Sequence, residues 1–122
     1  MNYNSKLSVT LDVGYIFDII SILNVKLNKL AGPKKDSAIS SFQSLAAEIK
    51  NQIGQKLFDD IISSDEYKEL YDINLKVFNL VDIANKDNGL AGDVARANTE
   101  RFLLKNKLQS KFFGDATSEI KT

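Results

Sequence analysis

Hydrophobic residues first alternate and then recur at helical spacing along this chain. Leu7, Val9 and Leu11 alternate with Ser8, Thr10 and Asp12, which predicts a short half-buried strand over residues 7–11. Asp12 is positioned to cap a helix over 13–31 that stops at Gly32-Pro33. Val13, Ile16, Phe17, Ile20, Leu23, Leu27 and Leu30 form one apolar stripe on it, and Tyr15, Ile19 and Ile22 form a second. Only a thin strip with Gly14, Asp18, Ser21 and Asn28 is left polar, so this helix is expected at the centre of the fold or in a subunit interface. Asp36 or Ser37 can cap a second helix. Its apolar phase (Ile39, Phe42, Ala46, Ile49, Ile53, Leu57, Ile61) continues through Gly54, which predicts one helix to about residue 62, bent at the glycine.

Ser63-Ser64-Asp65-Glu66 reads as a capping box, a serine accepting from first-turn amides and a glutamate reaching back from the third position. A third helix to about residue 85 would turn Tyr67, Leu70, Tyr71, Phe78 and Val81 inward. After the turn Lys86-Asp87-Asn88-Gly89, a fourth runs from residue 90 or 91 to 113 and stops at Gly114. Its apolar side holds Val94, Ala97, Phe102, Leu104, Leu108 and Phe112. The expectation is one all-α domain spanning 1–122, an antiparallel bundle of three to four helices with a short N-terminal strand. Residues 1–6 and 115–122 are expected to be flexible.

Composition narrows the chemistry. The 122 residues include no histidine and no cysteine, which removes the commonest transition-metal ligand, the commonest neutral-pH base, thiolate chemistry and disulfides. A reducing, cytoplasmic setting fits. Basic and acidic residues number seven and six in 1–62, three and six in 63–90, and six and four in 91–122. That mild asymmetry speaks against a nucleic-acid binder. The most apolar run, 13–23, contains Asp18 and is shorter than the roughly 20 residues that span a bilayer, so no membrane association is expected.

Polar residues on otherwise apolar helix faces are the remaining lead. Asn98, Arg101 and Lys105 fall at i, i+3 and i+7 on one flank of the fourth helix. Arginine can grip a carboxylate or phosphate with two prongs, lysine adds a point charge, and asparagine can orient a hydroxyl or amide. The same residues can serve the fold instead: Arg101 paired with Asp18 or Asp82 inside the bundle, and Lys105 reaching from the core edge to water. Asn74, between Leu70 and Phe78, must find a hydrogen-bond partner or lose about 1–3 kcal/mol. Asp18, Asn74, Asn98, Arg101 and Lys105 are therefore the candidate ligand-binding residues. Glu66-x-x-Glu69 and Asn79-x-x-Asp82 partly match the Mg²⁺-holding acidic motifs of all-helical nucleotide pyrophosphohydrolases. Both fragments lie on one predicted helix, however, and the capping box accounts for Glu66. No catalytic residue, metal site or cofactor is assigned.

Three stretches also resemble an uncharacterised family of short bacterial and phage proteins known only as a domain of unknown function. They are Ile16-Phe17-Asp18-Ile19-Ile20-Ser21-Ile22-Leu23 followed by Lys26, the segment Asn74 to Asp82, and Asn98-Thr99-Glu100-Arg101 with Lys105. The chain departs from that pattern at Phe78, where tryptophan is usual, and at Val81 and Thr99, where acids are usual. The resemblance implies a small helical fold and no activity. Taken together, a non-enzymatic binding or assembly module is expected, the alternative being an accessory enzyme or binder for a nucleotide or sugar phosphate. The second stripe (Tyr15, Ile19, Ile22) and the partnerless strand 7–11 favour a homodimer, with a protein partner as a further option.

Overall fold

The structure is a computed structural model. It describes the backbone of residues 9–84 and 91–114 and the side chains of all of these except 82–84. Among the described residues there are five helices: α1 (Val13–Lys29), α2 (Gly32–Ile53), α3 (Gln55–Ile62), α4 (Asp65–Ala84) and α5 (Ala91–Phe113). The all-helical expectation holds, with one helix more than the pattern predicted. The expected strand begins outside the described residues. So do the 86–89 turn and both termini expected to be flexible.

The additional helix comes from Gly54. It sits at φ 91° and ψ 154°, a region that only glycine occupies without strain, so it ends α2 and starts α3 rather than bending one continuous helix. Hydrophobic phase missed the break because it reports which residues face inward, and Ile53 and Leu57 still pack on the core across it. The re-phased α3 also brings in Phe58, which the continuous stripe had left out.

The turn between α1 and α2 needs the same correction. Gly32 (φ 63°) reverses the chain and Pro33 opens α2 in its first turn, where its fixed φ suits a helix and its missing N–H costs nothing. The helix thus begins at Gly32 after Ala31, upstream of the expected caps Asp36 and Ser37.

α1 is central, packed against α2, α4 and α5; α4 packs along α5, and α3 links α2 to α4. Phe17 and Ile20 of α1 are fully buried among Ile49, Ile61, Leu70 and Leu108. The Phe17 ring lies 5.6 Å from Phe58 and 6.4 Å, edge-on, from Tyr67. On α4 the inward set is Tyr67, Leu70, Ile73 and Asn74, whereas Val81, expected inside, is exposed.

The polar strip of α1 turns inward except at Asn28, which is exposed. Gly14, Asp18 and Ser21 are all buried. A Cβ at Gly14 would stand 2.9 Å from the Lys105 carbonyl oxygen of α5, so glycine is what lets the two helices approach. The Gly14 N–H, an orphan donor of the first turn, donates to Gln109 Oε1 at 2.6 Å. Asp12 occupies the N-cap position but makes no side-chain cap bond; a side chain from α5 meets part of that need.

Candidate functional site

Three of the five candidate residues meet between α1, α4 and α5. Asp18 is 1% exposed. Arg101 reaches it from α5, with Nε 3.0 Å from both carboxylate oxygens and Nη2 2.6 Å from Oδ2. From α4, Asn74 Nδ2 donates to Asp18 Oδ1 at 2.9 Å and to Ser21 Oγ at 2.6 Å. The Ser21 hydroxyl in turn donates to the Asp18 carbonyl at 2.8 Å. A buried carboxylate is tolerable only when paired and hydrogen-bonded, and this network meets both conditions. The hydrogen bonds to Asp18 raise the affinity of Arg101 for its proton, against the opposing effect of burial. The expected pairing of Arg101 with Asp18 is observed, and the Asp82 side chain lies outside the described residues.

Lys105 sits one turn further along α5 and is only 4% exposed. It does not reach out to water as the snorkelling reading supposed. Its Nζ lies between two rings, 5.0 Å from the centre of Tyr15 and 5.1 Å from that of Phe102, where ring quadrupoles compensate a partly desolvated cation. Burial pushes its pKa below the ordinary lysine value, Asp18 pulls it back up, and Arg101 adds to the depression.

Asn98 stands apart. It is exposed, and its Oδ1 receives only a long 3.5 Å contact from Arg101 Nη1. Helical spacing puts it on the Arg101 flank, but its side chain stays at the surface.

The acidic fragment is also spoken for. Ser64 rather than Ser63 caps α4, accepting from the Tyr67 N–H at 3.1 Å. That moves Glu66 one position nearer the helix start, and it binds Lys111 at 2.6 Å, which lowers its pKa. Glu69 is held by Lys107 at 3.2 Å. Among the described residues no group of three or more carboxylates is placed to hold a metal ion.

Sequence reasoning passed over several polar contacts. Gln109 recurs four residues after Lys105 on the same face, a signal available in the spacing. Two asparagine–tyrosine pairs link α1 to α4: Asn24 Nδ2 to Tyr67 Oη at 3.2 Å and Asn28 Nδ2 to Tyr71 Oη at 2.8 Å. Asn24 and Asn28 are one turn apart, as are Tyr67 and Tyr71, so these pairs too follow a periodicity. No described helix is long and apolar enough to cross a membrane. No family model, curated protein or solved structure matches the chain.

Proposed function

We propose that the chain is a non-enzymatic binding or assembly module whose polar centre is a cross-brace. The observation that carries this reading is the closure of the Asp18 network: Arg101 and Asn74 take up the carboxylate from α5 and α4, and Ser21 ties Asn74 to the Asp18 backbone carbonyl. A catalytic or ligand-gripping group keeps a face for its substrate, whereas this carboxylate is spent on α4 and α5. Such a brace fixes the register of three helices. Contacts whose residue numbers run in opposite directions (Asp18 to Arg101 and Gly14 to Gln109, Glu69 to Lys107 and Glu66 to Lys111) support an antiparallel bundle. The reading extends to a cytoplasmic homodimer through Tyr15, Ile19, Ile22 and strand 7–11, and to kinship with the short helical family on the three stretches quoted above.

A thermal-shift comparison of wild type and Arg101→Ala against nucleotides, nucleotide sugars, sugar phosphates and Mg²⁺ tests it. The expected result is no stabilisation by any of them and a large fall in the variant's own melting temperature. The second reading, a site for a phosphorylated small molecule, draws on the Arg101 side chain being 31% exposed with Nη1 only loosely held. Stabilisation by a phosphorylated compound that disappears in Arg101→Ala would select it.

A further inference from the structure

The two asparagine–tyrosine pairs line a cleft of about 360 Å³ where α1 passes the start of α4, floored by Ile62 and edged by Lys68. Within each pair the tyrosine oxygen accepts an asparagine N–H. The tyrosine's own O–H proton and the asparagine Oδ1 have no partner among the described residues. Burial raises the Tyr67 pKa, which keeps that phenol a donor. Each pair thus presents one free donor beside one free acceptor, and turning either carboxamide over preserves that count.

The repeat of the pairs identifies what they match. Asn24 and Asn28 are separated by four helical residues, a rise of ~6 Å. An extended polypeptide presents its N–H and C=O toward one side every second residue, a repeat of ~6.7 Å. The groups complementary to a free donor and a free acceptor are a C=O and an N–H, and only a main chain repeats both at that interval without regard to side chains.

We infer that the Asn24–Tyr67 and Asn28–Tyr71 pairs form a ladder that binds the backbone of an extended peptide segment of a partner protein. Side chains alternate along such a segment. Those turned inward meet the Tyr71 ring and Ile62, and those turned outward stay in solvent, so the preferred sequence alternates apolar and polar residues. The inference rests on the binding-module reading and gives it a partner chemistry and an address separate from the Asp18 carboxylate.

The test is a titration of the ¹⁵N-labelled full chain with capped synthetic peptides in which Val, Leu or Phe alternates with Ser. The side-chain amide signals of Asn24 and Asn28 are the readout. At least one peptide should move both pairs of signals. Its affinity should fall about tenfold in Asn28→Ala and in Tyr71→Phe, each the loss of one hydrogen-bonding group. N-methylating the peptide's alternate amides should weaken it similarly, an effect that a site for side chains alone would not show. The Asn28–Tyr71 pair is solvent-exposed, so both variants should keep the wild-type melting temperature. No movement of the asparagine signals with any peptide overturns the inference. So does peptide binding indifferent to both variants, which would leave the binding-module reading standing. Failure of all peptides together with an Arg101-dependent phosphorylated ligand would remove both.

Discussion

At the residue scale, the cost of the brace falls on whichever partner is left behind. Arg101→Ala strands a buried carboxylate with only Asn74 to meet it, and breaking a buried pair from one side typically costs about 3–5 kcal/mol. Arg101 is partly exposed and water can reach the gap, so the lower end of that range is expected. Removing both charges in Asp18→Ala with Arg101→Ala should cost much less than the two single losses added together. Urea unfolding of the four proteins should give a coupling energy of about 2 kcal/mol, and simple additivity would show that the pair does not act as a unit. Lys105 behaves in the opposite sense. Burial lowers its folded pKa, so between that value and the ordinary lysine value the unfolded chain holds more protons than the folded one. Its contribution to stability therefore rises with pH across that window and is least favourable below it. Lys105→Met keeps most of the stem and deletes the titration. Relative to wild type the variant should fare best near neutral pH and lose that advantage toward about pH 10, read as the difference between two stability–pH curves. Asp18, Asn74 and Arg101 were legible because each put a polar group where helical phase wanted an apolar one. Asn98 shares the Arg101 flank but stays at the surface, since phase locates a flank and does not say how far along it burial extends. Gln109 shares the Lys105 face, but its partner is a backbone amide, the Gly14 N–H, which no side-chain pattern marks.

At the scale of elements, helix faces were easier to read than helix ends. The α1 stripe, the stop at Gly114 and the inward Leu70 and Leu108 follow from spacing, since burial selects the same face along a continuous helix. Ends depend on single-residue backbone choices. Gly32-Pro33 carries both a stop and a start, and only the start signal was overlooked. Gly54 looked like an ordinary interior glycine, for which replacement by alanine would be favourable. In its observed conformation the sign reverses. Gly54→Ala should destabilise by about 1–3 kcal/mol, because alanine must either strain at φ 91° or straighten the chain and pull Phe58 and Ile61 from the core. No heavy atom lies within 4 Å of a Cβ built there, so steric crowding contributes nothing and the whole loss would be conformational. A thermal melt separates the cases: a higher midpoint in the variant would mean that α2 and α3 join in solution.

At the scale of the whole molecule, part of the modest charge asymmetry of the sequence is met by ion pairs across the α4–α5 surface. Acids early in α4 meet bases late in α5, through Glu66 with Lys111 and Glu69 with Lys107. Pairs of this kind contribute ~0–1 kcal/mol each, so they orient the two helices more than they stabilise them. With a net formal charge of zero, little long-range repulsion opposes self-association. Among the described residues the large apolar side chains offered outward are Val9 (71% exposed) and Leu11 (41%) at the start, with Val81 (41%) on α4 and Leu103 (61%) on α5. Tyr15, Ile19 and Ile22 are half-buried, and the Tyr15 ring already holds the Lys105 ammonium, so a homodimer through this face of α1 would draw much of its contact from residues 9–11. Lysine is the residue that natural sheet edges use to refuse a partner strand. Val9→Lys combined with Leu11→Lys should therefore convert a sedimenting dimer to a monomer. The unfolding midpoint of that monomer, extrapolated to low protein concentration, should match that of wild type, since neither side chain belongs to the core. A wild-type chain that sediments as a monomer at every concentration would dispose of the dimer and leave the exposed Val9 and Leu11 for a different partner.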